Sequence, residues 1–397
     1  MTSQSDRITR LSESEILAMT RRSRELIAQG IDVINLSLGE PDFDTPRYIK
    51  DAAKEAIDNN YTHYSPVQGY PDLLEAISKK FERDNGLRYP VSQIVVSTGA
   101  KQAIANVVLS LVNPGDEVLL PSPYWVTYPE QVKLANGNPV IINSGIDNDF
   151  KVTPRQVADA ITPKTKLMIF SSPCNPTGTV YTKGELKAIA EIIAEHENIY
   201  IISDEIYEHI LFNGKHESIA QFDFIKDKVI TINAVSKSFA MTGWRIGYMG
   251  SPEWIARACI KIQGQITSGT CTIAQKAAVA AINAEPVSIY EMRDVFKRRR
   301  DLLLELLKDI PGFKTNVPQG AFYIFPDVSY YFGKSDGKTK INSANDLSMF
   351  LLNSANVAVV SGETFGDGNC IRISYSASDD KLTEAAARIR KALIKII

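Results

Sequence analysis

The stretch Lys228-Val-Ile-Thr-Ile-Asn-Ala-Val-Ser-Lys-Ser-Phe-Ala-Met-Thr-Gly-Trp-Arg-Ile-Gly247 holds an apolar, β-branched run that stops just short of one lysine, Lys237, with Arg245 eight residues beyond it. The run Val229–Val235 predicts a strand buried on both faces, because Val and Ile fit a pleated, enclosed surface. Lys237 then stands just past the strand's carboxyl end. An amine held near apolar groups loses its proton more readily and can attack a carbonyl. A guanidinium close by can fork onto a phosphate. An aldehyde that also carries a phosphate satisfies both groups, and pyridoxal phosphate is such a molecule, held by enzymes as a lysine Schiff base. The same window also reads as a snorkelling lysine beside a surface arginine, so its context has to decide.

Working outward, the same kind of run recurs. Strand-like segments precede this one at Gln93–Ser97, Glu117–Pro121, Val140–Ile142, Lys166–Ser171 and Ile199–Ser203, and Ile246–Gly250 follows it. Helical periodicity fills most gaps, as at Lys101–Val112, Lys183–His196 and Pro252–Gln263. Strand and helix in alternation predict an α/β fold with a mostly parallel central sheet flanked by helices. Upstream, Leu11–Gln29 reads as an amphipathic helix capped by Ser12 or Ser14, Ile31–Leu38 as a short strand, and Pro46 as the start of a helix reaching about Asn59. Downstream, Met292–Leu307, with its Lys297-Arg298-Arg299-Arg300 run, reads as a long charged helix, a solvated face or a connector. Strands near Phe322–Phe325, Val357–Val360 and Cys370–Tyr375, with helices at Ala344–Leu352 and Leu382–Ile396, make an α+β segment. The division expected is an N-terminal arm and part of a small domain over 1–46, a large domain over 47–291, and the rest of the small domain over 292–397.

Composition narrows the function classes. The 397 residues are 44% hydrophobic, enough for two cores, and 44 basic against 46 acidic residues leave a net charge of -2. That balance argues against a nucleic-acid or acidic-membrane partner. Cys174, Cys259, Cys271 and Cys370 are scattered, with neither metal-ligand nor disulfide spacing, and fit a reducing compartment. No apolar run approaches a membrane span, and Met1–Arg10 has no apolar signal core, so a cytoplasmic protein without a metal is expected.

In an open α/β sheet, ligands gather beyond the carboxyl ends of the strands, and several unusual polar residues fall at those ends. Ser97-Thr98-Gly99-Ala100-Lys101 passes from strand to helix, and its backbone N–H groups offer an anion site, or only an ordinary turn. Lys101 is a cation in a first helical turn, against the macrodipole. Asn175 lies between Pro173 and Pro176 and is held rigidly, with an amide able to donate to a phenolic oxygen. Asp204 leaves an apolar run and needs a cationic partner, a pyridinium N–H for instance, unless it only caps the next helix. Tyr207 could donate to a phenolate, and Trp125 could stack on a flat ring or simply pack in the core. Arg372 is a charge inside an alternating strand, and arginine suits bidentate carboxylate binding.

With these residues together the chain resembles the class I aminotransferases of pyridoxal phosphate fold type I, and most of all their bacterial aspartate aminotransferase branch. The likeness runs from Leu11 to the C-terminus. Its specific marks are Ser-Lys-x5-Gly-x-Arg-x-Gly (Ser236–Gly247), Asn-Pro-Thr-Gly at Asn175 and Asp-x-x-Tyr at Asp204, in order, with Leu38-Gly39-Glu40-Pro41-Asp42-Phe43 as an N-terminal signature. The resemblance implies that Lys237 carries the cofactor, that Asp204 meets the ring nitrogen, and that Asn175 and Tyr207 meet the ring oxygen. It implies Gly99, Ala100 and Arg245 on the phosphate, with Ser236 and Lys101 close by and Trp125 on the ring face. Gly39, Trp125, Asn175 and Arg372 would receive the substrate, Arg372 gripping its α-carboxylate and Lys101 the side chain of a dicarboxylic amino acid. Family members are homodimers in which a tyrosine of the partner reaches the phosphate, and Tyr64 matches it. Two positions depart from relatives: Ala234 stands where other branches place a phosphate-binding Ser, and in the N-terminal Ser-x-Thr pattern facing the substrate Ser14 matches but Ile16 replaces the Thr. The activity implied is ping-pong transfer of an amino group from L-aspartate to 2-oxoglutarate. A C–S β-lyase, a preference for aromatic amino acids or prephenate, and a non-enzymatic binding protein are the alternatives.

Overall fold

The computed structural model describes residues 4–12 and 15–396. Its strands are β1 (Ile34–Asn35), β2 (Ile94–Ser97), β3 (Glu117–Ser122), β4 (Asn138–Asn143), β5 (Thr165–Ser171), β6 (Tyr200–Asp204), β7 (Val229–Ala234), β8 (Gly247–Gly250), β9 (Tyr323–Ile324), β10 (Val357–Ala358), β11 (Val360–Ser361) and β12 (Ile371–Ser374). Seven of them form the central sheet in the order β2-β8-β7-β6-β5-β3-β4. Only β8 runs against its neighbours, pairing antiparallel with both β2 and β7. Every residue of β7 is buried, and β5 and β6 each have a single half-buried position. Such continuous apolar strands need cover on both faces. Helix Ala100–Leu111 packs on one face with Val107, Val108 and Cys259, while Leu73, Phe81, Ala277 and Ala281 close the other.

A second core gathers Ile34 and Leu36 from one end of the chain with Phe296, Phe322, Leu351, Ile373 and Ile389 from the other. Its three-stranded sheet runs β11-β12-β9, antiparallel throughout, and β1 pairs parallel with β10. The expected strand Val357–Val360 is therefore two short strands in different sheets, divided at Val359. Of Ile31–Leu38 only Ile34–Asn35 pairs.

Three further readings are corrected. The N-terminal helix is not continuous from Leu11: Asp6–Thr9 is one short helix and Glu15–Ala28 another. Helix Val287–Lys308 is solvated over only part of its basic run: Arg298 is exposed, but Arg299 and Arg300 are buried. Arg299 bonds Asp42 through two nitrogens at 2.7 and 2.9 Å, and Arg300 donates to the Pro318 carbonyl at 2.9 Å. The fork geometry of the guanidinium lets a cation sit inside when its donors are met. Helices Pro71–Asn85, Thr127–Leu134, Pro154–Ala160 and Thr272–Asn283 are elements that the sequence reading passes over.

Candidate active site

The carboxyl ends of β3, β5, β6 and β7 open onto a cavity of about 820 Å³, lined among others by Gly39, Lys101, Trp125, Asp204, Lys237 and Arg372. Lys237 sits in the helical turn Val235–Ser238 that directly follows β7, and its Nζ donates to the Gly39 carbonyl. Burial pushes this ammonium down from 10.5 to about 8, helped by Arg372 and Arg245, while Glu40 and Asp204 pull the other way. A fraction of the amine is thus neutral, and nucleophilic, close to neutral pH.

Asp204 ends β6, the neighbour of β7, and is 4% exposed. Its Oδ2 accepts from the Tyr128 hydroxyl at 2.7 Å and its Oδ1 from the Ile206 N–H at 3.3 Å. Burial raises its pKa from 3.8 to about 6 in spite of these bonds. A buried carboxylate pushed up in this way gains from any cation brought to its open side.

Arg372, in β12, belongs to the second core yet reaches the same cavity. It is 1% exposed, held between the rings of Tyr323 at 4.6 Å and Phe365 at 4.9 Å. It donates to the Ser37 carbonyl at 2.5 Å and to Asn175 Oδ1 at 3.0 Å, and its Nε has no partner. An orphaned guanidinium nitrogen at this depth marks a place for an anion. The Arg372 bond also fixes the Asn175 amide: with Oδ1 toward the guanidinium, Nδ2 turns elsewhere as a donor. Tyr207 is buried, and its hydroxyl shares a 2.9 Å hydrogen bond with that of Tyr323. Burial holds the Tyr207 phenol well above its ordinary pKa, so it is a donor and not a phenolate.

At the other end of the cavity Gly99 precedes helix Ala100–Leu111 with φ +82°, and a Cβ there would run into the Arg245 guanidinium. Arg245 itself is in the left-handed region at φ +59°. The first N–H groups of a helix lack intrahelical acceptors, and here they belong to Ala100 and Lys101, next to that guanidinium. This is a cradle for a polyanionic group. Lys101 Nζ lies 5.1 Å from the centre of the Trp125 ring. Partial desolvation and then Arg245 lower the Lys101 pKa. Ser236 is buried against the same cavity.

Not every candidate converges. Tyr64 is 97% exposed, and it projects from the surface of its own chain instead of lining the cavity. Ser14 lies outside the described residues, and nothing is described of the Ile16 side chain. Conversely, Tyr128 and Tyr323 touch the central residues and were not singled out in the sequence. Each is an aromatic residue among many, and only a partner 76 or 116 residues away in the chain distinguishes it. Among the described residues, Glu205, Glu208 and His216 bring ligand atoms within 4.8 Å of one another. The Lys80 ammonium already pairs with Glu208, and His216 Nε2 lies 2.9 Å from Glu205, so both carboxylates have internal partners, while His216 Nδ1 has none.

Comparison with known proteins agrees with this geometry. Residues 31–389 match the family model described as aminotransferase class I and II. A protein of Cereibacter sphaeroides named aspartate/prephenate aminotransferase is 46% identical over 396 residues, covering 97% of each chain. An aspartate aminotransferase of Bacillus sp. strain YM-2 is 47% identical over 386 residues, again covering 97% of each. The crystal structure of an aspartate aminotransferase from Rhizobium meliloti superposes with a TM-score of 0.97 at 38% identity, covering all of both chains. A cavity ringed by a softened lysine, a buried aspartate and a deep arginine, in a chain matched along its whole length, makes this protein a member of the class I and II aminotransferase family.

Proposed function

We propose that this chain transfers the amino group of L-aspartate to 2-oxoglutarate with pyridoxal phosphate as cofactor. The observation that carries the reading is that Lys237 and Asp204, at the ends of adjacent strands, face one cavity with Arg372. The residues fit the cofactor: Asp204 is a buried acid in need of a cation, Arg245 and the first turn of helix Ala100–Leu111 make an anion cradle, and Asn175 Nδ2 and Tyr207 are donors for a ring oxygen. Ser236 lies beside the cradle, and Trp125 offers a ring face. When bound, pyridoxal phosphate supplies an electron sink that weakens the bonds at a substrate's Cα.

The protein's own groups do the rest. Lys237 Nζ would hold the cofactor and, as a free amine, would take and return the Cα proton, a task suited to an amine with a pKa of about 8. Asp204 would meet the ring nitrogen and favour its protonated form. Arg372 grips the α-carboxylate through its unpartnered Nε side, which fixes the one Cα bond turned to the reacting face. Gly39 leaves room for the substrate, and Lys101 meets the distal carboxylate of a dicarboxylic acid. The relatives named for aspartate support that substrate, and prephenate is the second acceptor to test because the Cereibacter relative is named for it.

The same reading includes a homodimer in which Tyr64 of a second copy completes the phosphate site. A cleft of about 690 Å³ beside Arg245, Thr98 and Thr270 has room for such a segment. It further divides the chain into an arm and part of a small domain (1–46), a large domain (47–291) and the remainder of the small one (292–397), acting in the cytoplasm. No helix among the described residues is long and apolar enough to cross a membrane. The deciding assay offers the purified protein aspartate with 2-oxoglutarate and, separately, cystathionine. Oxaloacetate from the first is expected, and pyruvate from the second in its place overturns the reading in favour of a C–S lyase.

A further inference from the structure

Helix Thr127–Leu134 is the least conspicuous element around the cavity, yet three of its contacts bear on the site. Tyr128 and Gln131 are three residues apart and neighbours on the helix surface, and Trp125 lies just before the helix. The Trp125 ring meets Tyr128 edge-on at 5.5 Å, and Gln131 donates to the Lys101 carbonyl at 2.8 Å. Tyr128, fully buried between them, donates to Asp204 Oδ2 at 2.7 Å. We propose that Tyr128 is a positioning residue of the reaction, whose phenol keeps the Asp204 carboxylate anionic and aimed into the cavity before and after the cofactor arrives. This rests on the aminotransferase reading above and extends it to a residue that acts through Asp204.

The charges around Asp204 make this donor necessary. From the turn after β7, Lys237 favours the carboxylate. From its own strand end, the charge of Glu205 opposes it. Tyr207 and, from the Asn175 loop, Cys174 are buried and neutral. Lys237 acts on Asp204 only through its charge, the last of these influences, because its Nζ donates to the Gly39 carbonyl. The Ile206 N–H, at 3.3 Å, is a long bond. Among the described residues the Tyr128 hydroxyl is the short donor to Asp204, and its burial against the Trp125 ring holds it there. A charge-assisted bond of this kind fixes protonation state and carboxylate rotamer together.

The test uses the full-length protein with and without pyridoxal phosphate. Tyr128→Phe deletes the donor and keeps the ring. In the cofactor-free protein, the infrared carboxyl titration of Asp204, identified by difference against Asp204→Asn, is expected to move up by about one pH unit or more. The acid limb of cofactor binding should move up with it. Incorporation of 3-fluorotyrosine at 128 strengthens the donor and should move both midpoints down. Opposite shifts from the two replacements are the signature, since a purely structural loss would not reverse sign. Midpoints unmoved by either replacement, or moved the same way by both, overturn the proposal. A wild-type protein that binds no pyridoxal phosphate defeats the functional reading instead, so the two failures are distinguishable.

Discussion

Lys237 can be tested without any turnover measurement. Its folded pKa of about 8 lies below the ordinary 10.5, so its charge opposes folding. The penalty is full below pH 8, shrinks as pH rises from 8 to 10.5, and is gone above that. Lys237→Met should therefore stabilise the cofactor-free protein by roughly 2–3 kcal/mol at pH 7, and denaturant melts should show the gain fading above pH 8. With cofactor the same variant should lose transamination and the visible absorbance of the bound aldehyde. Arg372→Ala should reduce kcat/KM for aspartate by about a hundredfold or more, the scale of two charge-assisted hydrogen bonds, and steady-state kinetics on both substrates measure it. Lys237, Asp204 and Asn175 stood out in the sequence as candidates because a polar residue at the end of an apolar run is out of keeping with its surroundings, and Arg372 because it is a charge inside an alternating strand. Tyr128 and Tyr323 were not, since an aromatic side chain looks the same whether its hydroxyl is idle or bonded to a candidate site residue.

Among the elements, helix Pro71–Asn85 is bound to the loop after β6 by buried charge. Lys80 and Glu208 have side chains only 3% and 2% exposed, and Asn85 donates to the same carboxylate at 2.7 Å. Removing one partner strands the other, so Lys80→Met should cost about 3–5 kcal/mol, while Lys80→Met with Glu208→Leu should recover most of it. Urea titrations of both variants decide this. The helix itself could have been read from Pro71 at its start and from Gly86, whose left-handed backbone closes its end. Thr127–Leu134 is harder to find: eight residues with Pro129, Thr127 and Tyr128 have weak helical propensity, and tertiary packing alone holds them. The basic run at 297–300 misleads for a different reason. Charge alone predicts exposure, but Asp42, more than 250 residues away, gives Arg299 a reason to be inside.

For the whole molecule, the alternation of strand and helix conveyed the parallel sheet, since periodicity is a local property of the chain. Strand order, the reversal of β8 and the split at Val359 depend on distant pairing and left no local trace. The proposed dimer makes two predictions at this scale. Light scattering should give twice the chain's 43.9 kDa. Mixing inactive Tyr64→Ala with inactive Lys237→Ala subunits should restore activity, because each hybrid would hold one site with both residues intact; no recovery on mixing would place Tyr64 outside the phosphate site.

β1 and β10 pair Ile34 with Val357, and this has a consequence for biosynthesis. Ile34 and Leu36 leave the ribosome about 320 residues before Val357 and the other side chains that cover them. The central sheet can assemble in that interval, but the second core cannot close until the later residues are made. Through that interval a nascent chain displays an uncovered apolar segment, a natural grip for a chaperone.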